Sequence, residues 1–120
     1  MEFKESKTYA NLMTAFSGES EARNKYTYYS SEAKNNGYYQ IGKIFKETAE
    51  NEREHAEIWF KLLHGNTMPS TEEALLDAAD GEWYEFSEMY KRFAEEAEQE
   101  GFNEIAALFS NVEKIEKEHH

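Results

Sequence analysis

Proline occurs once in 120 residues, at Pro69. The stretches on either side are rich in Glu, Ala and Lys and free of helix breakers, so they favour helix over sheet. The fold class expected is all-α, and a chain of this length supports one domain with its own core. The six glycines are few and fall where helices could stop or turn. A first helix is expected from near Ser6 or Thr8 to Asn35-Asn36-Gly37, where glycine suits a left-handed position past the helix end. A second runs from about Tyr38 to His64 and stops at Gly65. Gly65 to Ser70 is the linker, and Ser70-Thr71-Glu72-Glu73 reads as a capping box that opens the third helix. That helix ends near Gly101, with an interruption expected near Asp80-Gly81, since an interior glycine costs roughly 1 kcal/mol. The fourth runs from Phe102 onward. Very short turns at Gly37 and Gly101 impose two antiparallel helix hairpins.

The halves repeat. At an offset of 64 residues Tyr26 meets Tyr90, Ala33 meets Ala97, Gly37 meets Gly101, Tyr38 meets Phe102 and Ile41 meets Ile105. Phe45 then meets Phe109, Glu52 meets Glu116 and His55 meets His119. Upstream the offset is 63, pairing Gly18-Glu19 with Gly81-Glu82. The second half thus carries one extra residue between Glu82 and Tyr90. A single insertion in a helix is commonly absorbed as a π-bulge, often near a functional site, and one is expected there.

Acids stand where the core should be. The apolar stripe Leu12, Ala15, Phe16, Ala22, Tyr26, Tyr29, Ala33 of the first helix is broken by Glu19. In the second helix, Glu52 and His55 interrupt Ile41, Ile44, Phe45, Thr48, Trp59 and Leu62. Glu82 and Glu85 do the same in the third helix, and Glu116 and His119 in the fourth. Glu19 lies 18 residues before Gly37 and Glu52 15 after it; Glu82 lies 19 before Gly101 and Glu116 15 after it. At about 1.5 Å per residue these groups share one level. Such carboxylates, if buried, would each cost several kcal/mol or take up a proton. Arg23, one turn from Glu19, can neutralise one of them. Two divalent cations neutralise four. One Glu from each of two helices, with Glu-x-x-His from each of the others, is the di-iron carboxylate pattern of ferritin-like four-helix bundles. Oxygen and imidazole donors suit iron, with manganese the alternative. The bland reading is a salt-bridge network; pairing of both Glu-x-x-His motifs by the repeat argues against it.

The stretches Ala15-Phe16-Ser17-Gly18-Glu19-Ser20-Glu21-Ala22-Arg23, Glu47-Thr48-Ala49-Glu50-Asn51-Glu52-Arg53-Glu54-His55 and Gly81-Glu82-Trp83-Tyr84-Glu85-Phe86 closely resemble rubrerythrins. The resemblance implies that Glu19, Glu52, His55, Glu82, Glu85, Glu116 and His119 ligate two iron ions. It makes Tyr26 and Tyr90 hydrogen-bond donors to ligand carboxylates; both also read simply as core. Glu85 and His55 would be the alternative ligands of an iron that moves on reduction. The implied reaction is reduction of hydrogen peroxide to water, fed by a rubredoxin-like electron donor, in a homodimer that could exchange helices.

Departures from the family pattern bear on the donor. The chain has no cysteine, which excludes disulfides, thiolate metal sites and a rubredoxin-type centre within these residues. Electrons are therefore expected from outside, or the sequence stops short of such a domain. The fourth helix reaches only one residue past His119, so the bundle is expected to be incomplete there. His64 reads as a capping or surface residue and His120 as no ligand. A net charge of −12 disfavours nucleic acid and anionic membranes as partners. With no long apolar run, a cytoplasmic protein is the default expectation. Competing readings are a ferritin-like iron oxidase or store, a manganese catalase-like protein, and a metal-free helical interaction module.

Overall fold

Ser6 sets the first helix. Its Oγ accepts a hydrogen bond from the Tyr9 amide at 3.0 Å and donates to the Phe3 carbonyl at 2.6 Å, fastening a short 3₁₀ turn, Phe3–Glu5. The computed structural model describes residues 1–119. Helix α1 spans Lys7–Asn35 and α2 spans Tyr39–Leu63. Ser70 caps α3, Thr71–Tyr84, through the Glu73 amide at 3.1 Å. A π-helical segment, Glu85–Met89, follows, then α4, Tyr90–Gln99, and α5, Asn103–His119. The described residues contain no strand, in keeping with the all-α, ferritin-like class.

These elements form two compact units, one comprising Met1–Met68 and the other beginning at Pro69. Each is an antiparallel hairpin closed by the same device. Gly37 takes φ +86° and the Tyr38 amide reaches back to the Ala33 carbonyl at 2.8 Å. Gly101 takes φ +88° and the Phe102 amide reaches the Ala97 carbonyl, also at 2.8 Å. The repeat in sequence is therefore a repeat in hydrogen bonding.

Small residues build both seams. Ser30, Gly42, Ala49 and Ala56 are buried between α1 and α2; Ala94, Ala97 and Ala106 are buried where α4 meets α5. Ser30 donates to the Gly42 carbonyl at 2.7 Å, so the helices touch almost backbone to backbone.

Three expectations need correction. Helix α3 passes through Asp80-Gly81 without interruption; the irregularity lies wholly at the π segment, where the repeat had inserted its extra residue. The apolar stripes are largely half-buried, and part of each hairpin's stripe is exposed. Ile41 and its counterpart Ile105 are 49% and 48% exposed, and Ile44 and Leu108 are 56% and 63% exposed. A pair of helices has one seam to bury and cannot enclose a second face. Trp83, which as a large aromatic would most simply be expected in a core, is 51% exposed.

Candidate metal centre

A three-residue step on a helix brings two side chains onto one face. It does so twice, with Glu52 and His55 on α2 and with Glu116 and His119 on α5. Across the first seam α1 presents Glu19, whose Oε2 lies 3.5 Å from His55 Nδ1. In the second unit α3 presents Glu82, whose Oε2 lies 3.4 Å from His119 Nδ1, with Glu116 Oε2 at 3.7 Å. The result is two clusters, Glu19–Glu52–His55 and Glu82–Glu116–His119, whose candidate ligand atoms lie within 4.8 Å of one another in each.

The carboxylates are half-buried rather than buried as expected, because each hairpin shields one side of its cluster. Even so, Oε2 of Glu19, of Glu82 and of Glu116 is cut off from water and accepts no hydrogen bond. A shielded, unpartnered carboxylate oxygen is costly. Glu52 responds to the crowding. Its carboxyl is pushed above the ordinary range, first by a hydrogen bond with Glu19, then by burial and by repulsion from Glu19, with His55 opposing. Two oxygens and an imidazole nitrogen at this spacing are a donor set for a hard or borderline divalent cation. The residues fit a metal ion, and a cation is what the three orphaned oxygens lack.

Other residues named from the sequence fall into different places. Glu85 is the first residue of the π segment, half-buried and outside both clusters. Tyr26 packs on Phe45 with centroids 5.9 Å apart, and Tyr90 packs on Phe109 at 6.1 Å. Among the described residues neither hydroxyl hydrogen-bonds a carboxylate. Arg23 makes no ion pair with Glu19; its Nη1 lies 3.5 Å from Asn24 Oδ1. His64 terminates α2, with Nδ1 2.9 Å from the Phe60 carbonyl, so it caps as expected. His120 lies outside the described residues.

Sequence reasoning overlooked the seam itself. Gly42, Ala49 and Ala56 recur every seven residues, which is the signal of a close helix contact.

Comparison with known proteins now decides the lineage. The model of the Rubrerythrin family matches residues 10–120. The chain belongs to the rubrerythrin family. It is 47% identical to Rubrerythrin-1 of Clostridium acetobutylicum, over 97% of this chain and 67% of that protein. It is 47% identical to a rubrerythrin of Porphyromonas gingivalis, over 97% of this chain and 64% of that protein. A rubrerythrin of Nitratidesulfovibrio vulgaris is 42% identical over 97% and 66%. The chain thus spans about two thirds of the length of these relatives. Among the described residues no helix is long and apolar enough to cross a membrane.

Proposed function

We propose that this rubrerythrin-family chain is a non-haem di-iron peroxidase that reduces hydrogen peroxide to water with electrons from an external donor. The observation that carries the reading is the pair of matched clusters, with one orphaned carboxylate oxygen in the first and two in the second. Two iron ions bound there would supply two electrons per turnover, balanced as H₂O₂ + 2H⁺ + 2e⁻ → 2H₂O.

The chain's own residues divide the work. Glu19, Glu52, Glu82 and Glu116 carry four negative charges against the four positive charges of a diferrous pair. His55 and His119 would add nitrogen donors, and Glu85, in the role the family resemblance implies, would supply a further carboxylate to offset charge gained on oxidation. A π segment at Glu85 supports that role, because its hydrogen bonds are more easily rearranged than those of an α-helix. The Tyr26 and Tyr90 rings pack on Phe45 and Phe109, and in the role the family resemblance implies their hydroxyls would turn to ligand carboxylates once metal is bound. The stripes exposed on each hairpin support a homodimer that covers apolar surface, with helix exchange as one way to do so.

Anaerobic ferrous titration followed by a peroxide pulse tests the reading. Two irons bound per site and rapid oxidation by peroxide, faster than by oxygen, are expected. Faster oxidation by oxygen would make the protein an iron oxidase. Release of oxygen from peroxide by manganese-loaded protein would make it a catalase.

A further inference from the structure

The α1–α2 hairpin carries a second feature, on the flank of its seam away from the ligands. Lys46 precedes His55 by nine residues, two and a half turns, and so lies on the opposite side of α2. There a groove of about 340 Å³ is lined by Arg23, Lys34, Lys46 and Arg53, together with Thr27 and Ser31. One acid, Glu50, shares it.

Three facts set this groove apart in a chain of net charge −12. Elsewhere on this hairpin Lys25, Lys43 and Lys61 each pair with a glutamate one turn away. Lys34 and Lys46 make no ion pair among the described residues, and the Arg53 partner, Glu54, is itself exposed. Lys34 is also held in place, because its stem lies over bare Gly42, where an added Cβ would come within 2.7 Å of Lys34 Cγ. Finally, the repeat does not keep the positive excess. Counterparts of Ser31, Lys34 and Ala49 at the offset of 64 are Glu95, Glu98 and Glu113, and those of Thr27, Glu50 and Arg53 are Lys91, Lys114 and Lys117, so acids and bases balance there. The positive groove is therefore a property of one half and not of the repeated framework.

We propose that this groove is the docking surface for an acidic protein partner, a carboxylate-rich electron carrier. A positive strip on an otherwise negative molecule admits such a partner in one place and repels it elsewhere, which orients the encounter. Seated there, the partner is one helix width, about 10–12 Å, from the ligand-bearing face and does not obstruct it. That the partner delivers electrons rests on the di-iron reading; that the groove binds carboxylates does not.

Two measurements separate these. The full-length, metal-free, ¹⁵N-labelled chain is titrated at low salt with poly-L-glutamate of about twenty residues. Amide shifts confined to the groove around Thr27, Ser31 and Lys46 are expected, lost at high salt. The K34E/K46E variant should bind about tenfold more weakly or worse, while K34R/K46R keeps the affinity and controls for folding. Shifts at Glu95, Glu98 and Glu113 instead, equal binding by K34E/K46E, or displacement by equimolar inorganic phosphate would overturn the proposal. In the second measurement, iron-loaded protein turns over peroxide with a rubredoxin of net negative charge. K34E/K46E should raise KM for that carrier and leave turnover with a small uncharged reductant unchanged. An unchanged KM overturns the proposal, whereas no turnover with either reductant sinks the di-iron reading and leaves the binding result standing.

Discussion

His55 Nδ1 stands 3.5 Å from Glu19 Oε2, and 63 to 64 residues later the same contact recurs between His119 and Glu82 at 3.4 Å. Two unrelated surface contacts would not agree this closely in partner, atom and distance. Each unit carries a Glu–Glu–His cluster of the same make-up, with a carboxylate oxygen cut off from water in both. Function and fold share this repeat.

The crowding at Glu52 gives the metal-free protein a pH dependence of definite sign. With its carboxyl raised by the Glu19 hydrogen bond, the folded chain holds a proton over a range where the unfolded chain has lost it. That stabilisation is complete below the unfolded value and vanishes as pH rises through the folded one. Metal-free protein should therefore lose stability through the range just above ordinary glutamate titration, and Glu52→Gln should remove this component. Metal competes with the same proton, so its affinity should rise with pH across that window. Urea melts of both proteins at a series of pH values, with and without metal, measure each effect. Parallel pH profiles for wild type and E52Q would show that the Glu19–Glu52 proton is absent.

Removing one imidazole should damage the cluster that holds it first. His55→Ala and His119→Ala should each weaken metal binding by ~100-fold or more, taking the loss from an outer-sphere partner as a lower guide. Metal at about a hundred times its Kd adds roughly 2.7 kcal/mol to the folded state. The variants should accordingly lose most of the metal-induced rise in Tm while their metal-free Tm stays near that of the parent. Differential scanning fluorimetry with and without ferrous or manganous ion reads this directly. A Tm rise that survives in both variants would mean that the metal sits elsewhere.

Much of this was legible in the sequence, for identifiable reasons. Gly37, Gly65 and Gly101 mark helix ends because positive φ excludes most other residues, and all three take it. The extra residue between Glu82 and Tyr90 could be located because an insertion shifts a repeat by one, and it appears as the π segment Glu85–Met89. Both clusters followed from Glu-x-x-His spacing, since three residues nearly complete a turn. Less could be read where an outcome depends on what covers a face. Periodicity marks Ile44 and Leu108 as apolar-facing but cannot say that a hairpin leaves them exposed. The same gap made Arg23 look like a partner for Glu19, four residues away, when it faces the groove with Lys34 and Arg53. Charge in sequence is a sum, whereas a groove depends on which cations share a side.

The π segment should be removable without loss of the fold. Ser87 donates its hydroxyl to the Trp83 carbonyl at 2.6 Å, one turn back. Deleting Ser87 shortens the Glu82–Tyr90 spacing to the seven residues found between Glu19 and Tyr26. A regular α-helix then carries both the Glu82 cluster and the Tyr90–Phe109 stack, as α1 already does in the first unit. Helicity by circular dichroism and metal-free Tm should be equal to or above those of the parent, while rearrangement near Glu85 on oxidation is suppressed. Unfolding of the deletion variant would show that the segment is needed for packing and not only for the site.

Two glycines separate a packing role from a plain helix position. At Gly42 an added Cβ would lie 2.7 Å from Lys34 Cγ and 3.1 Å from the Ser30 carbonyl oxygen. The lysine can give way, but the backbone carbonyl can do so only by moving α1. Gly42→Val should therefore cost about 2 kcal/mol, typical of overpacking at a tight contact, and Ser30→Ala about 1 kcal/mol for the lost hydrogen bond. At Gly81 nothing lies within 4 Å of the added Cβ. Gly81→Ala should stabilise α3 by roughly 0.5–1 kcal/mol, since only the backbone entropy of glycine is removed. Urea melts with unchanged m-values would confirm both signs. If Gly81→Ala instead destabilises, a surface beyond its own hairpin presses against α3 beside Glu82 in the assembled protein, and the cluster there is more enclosed than a single hairpin makes it.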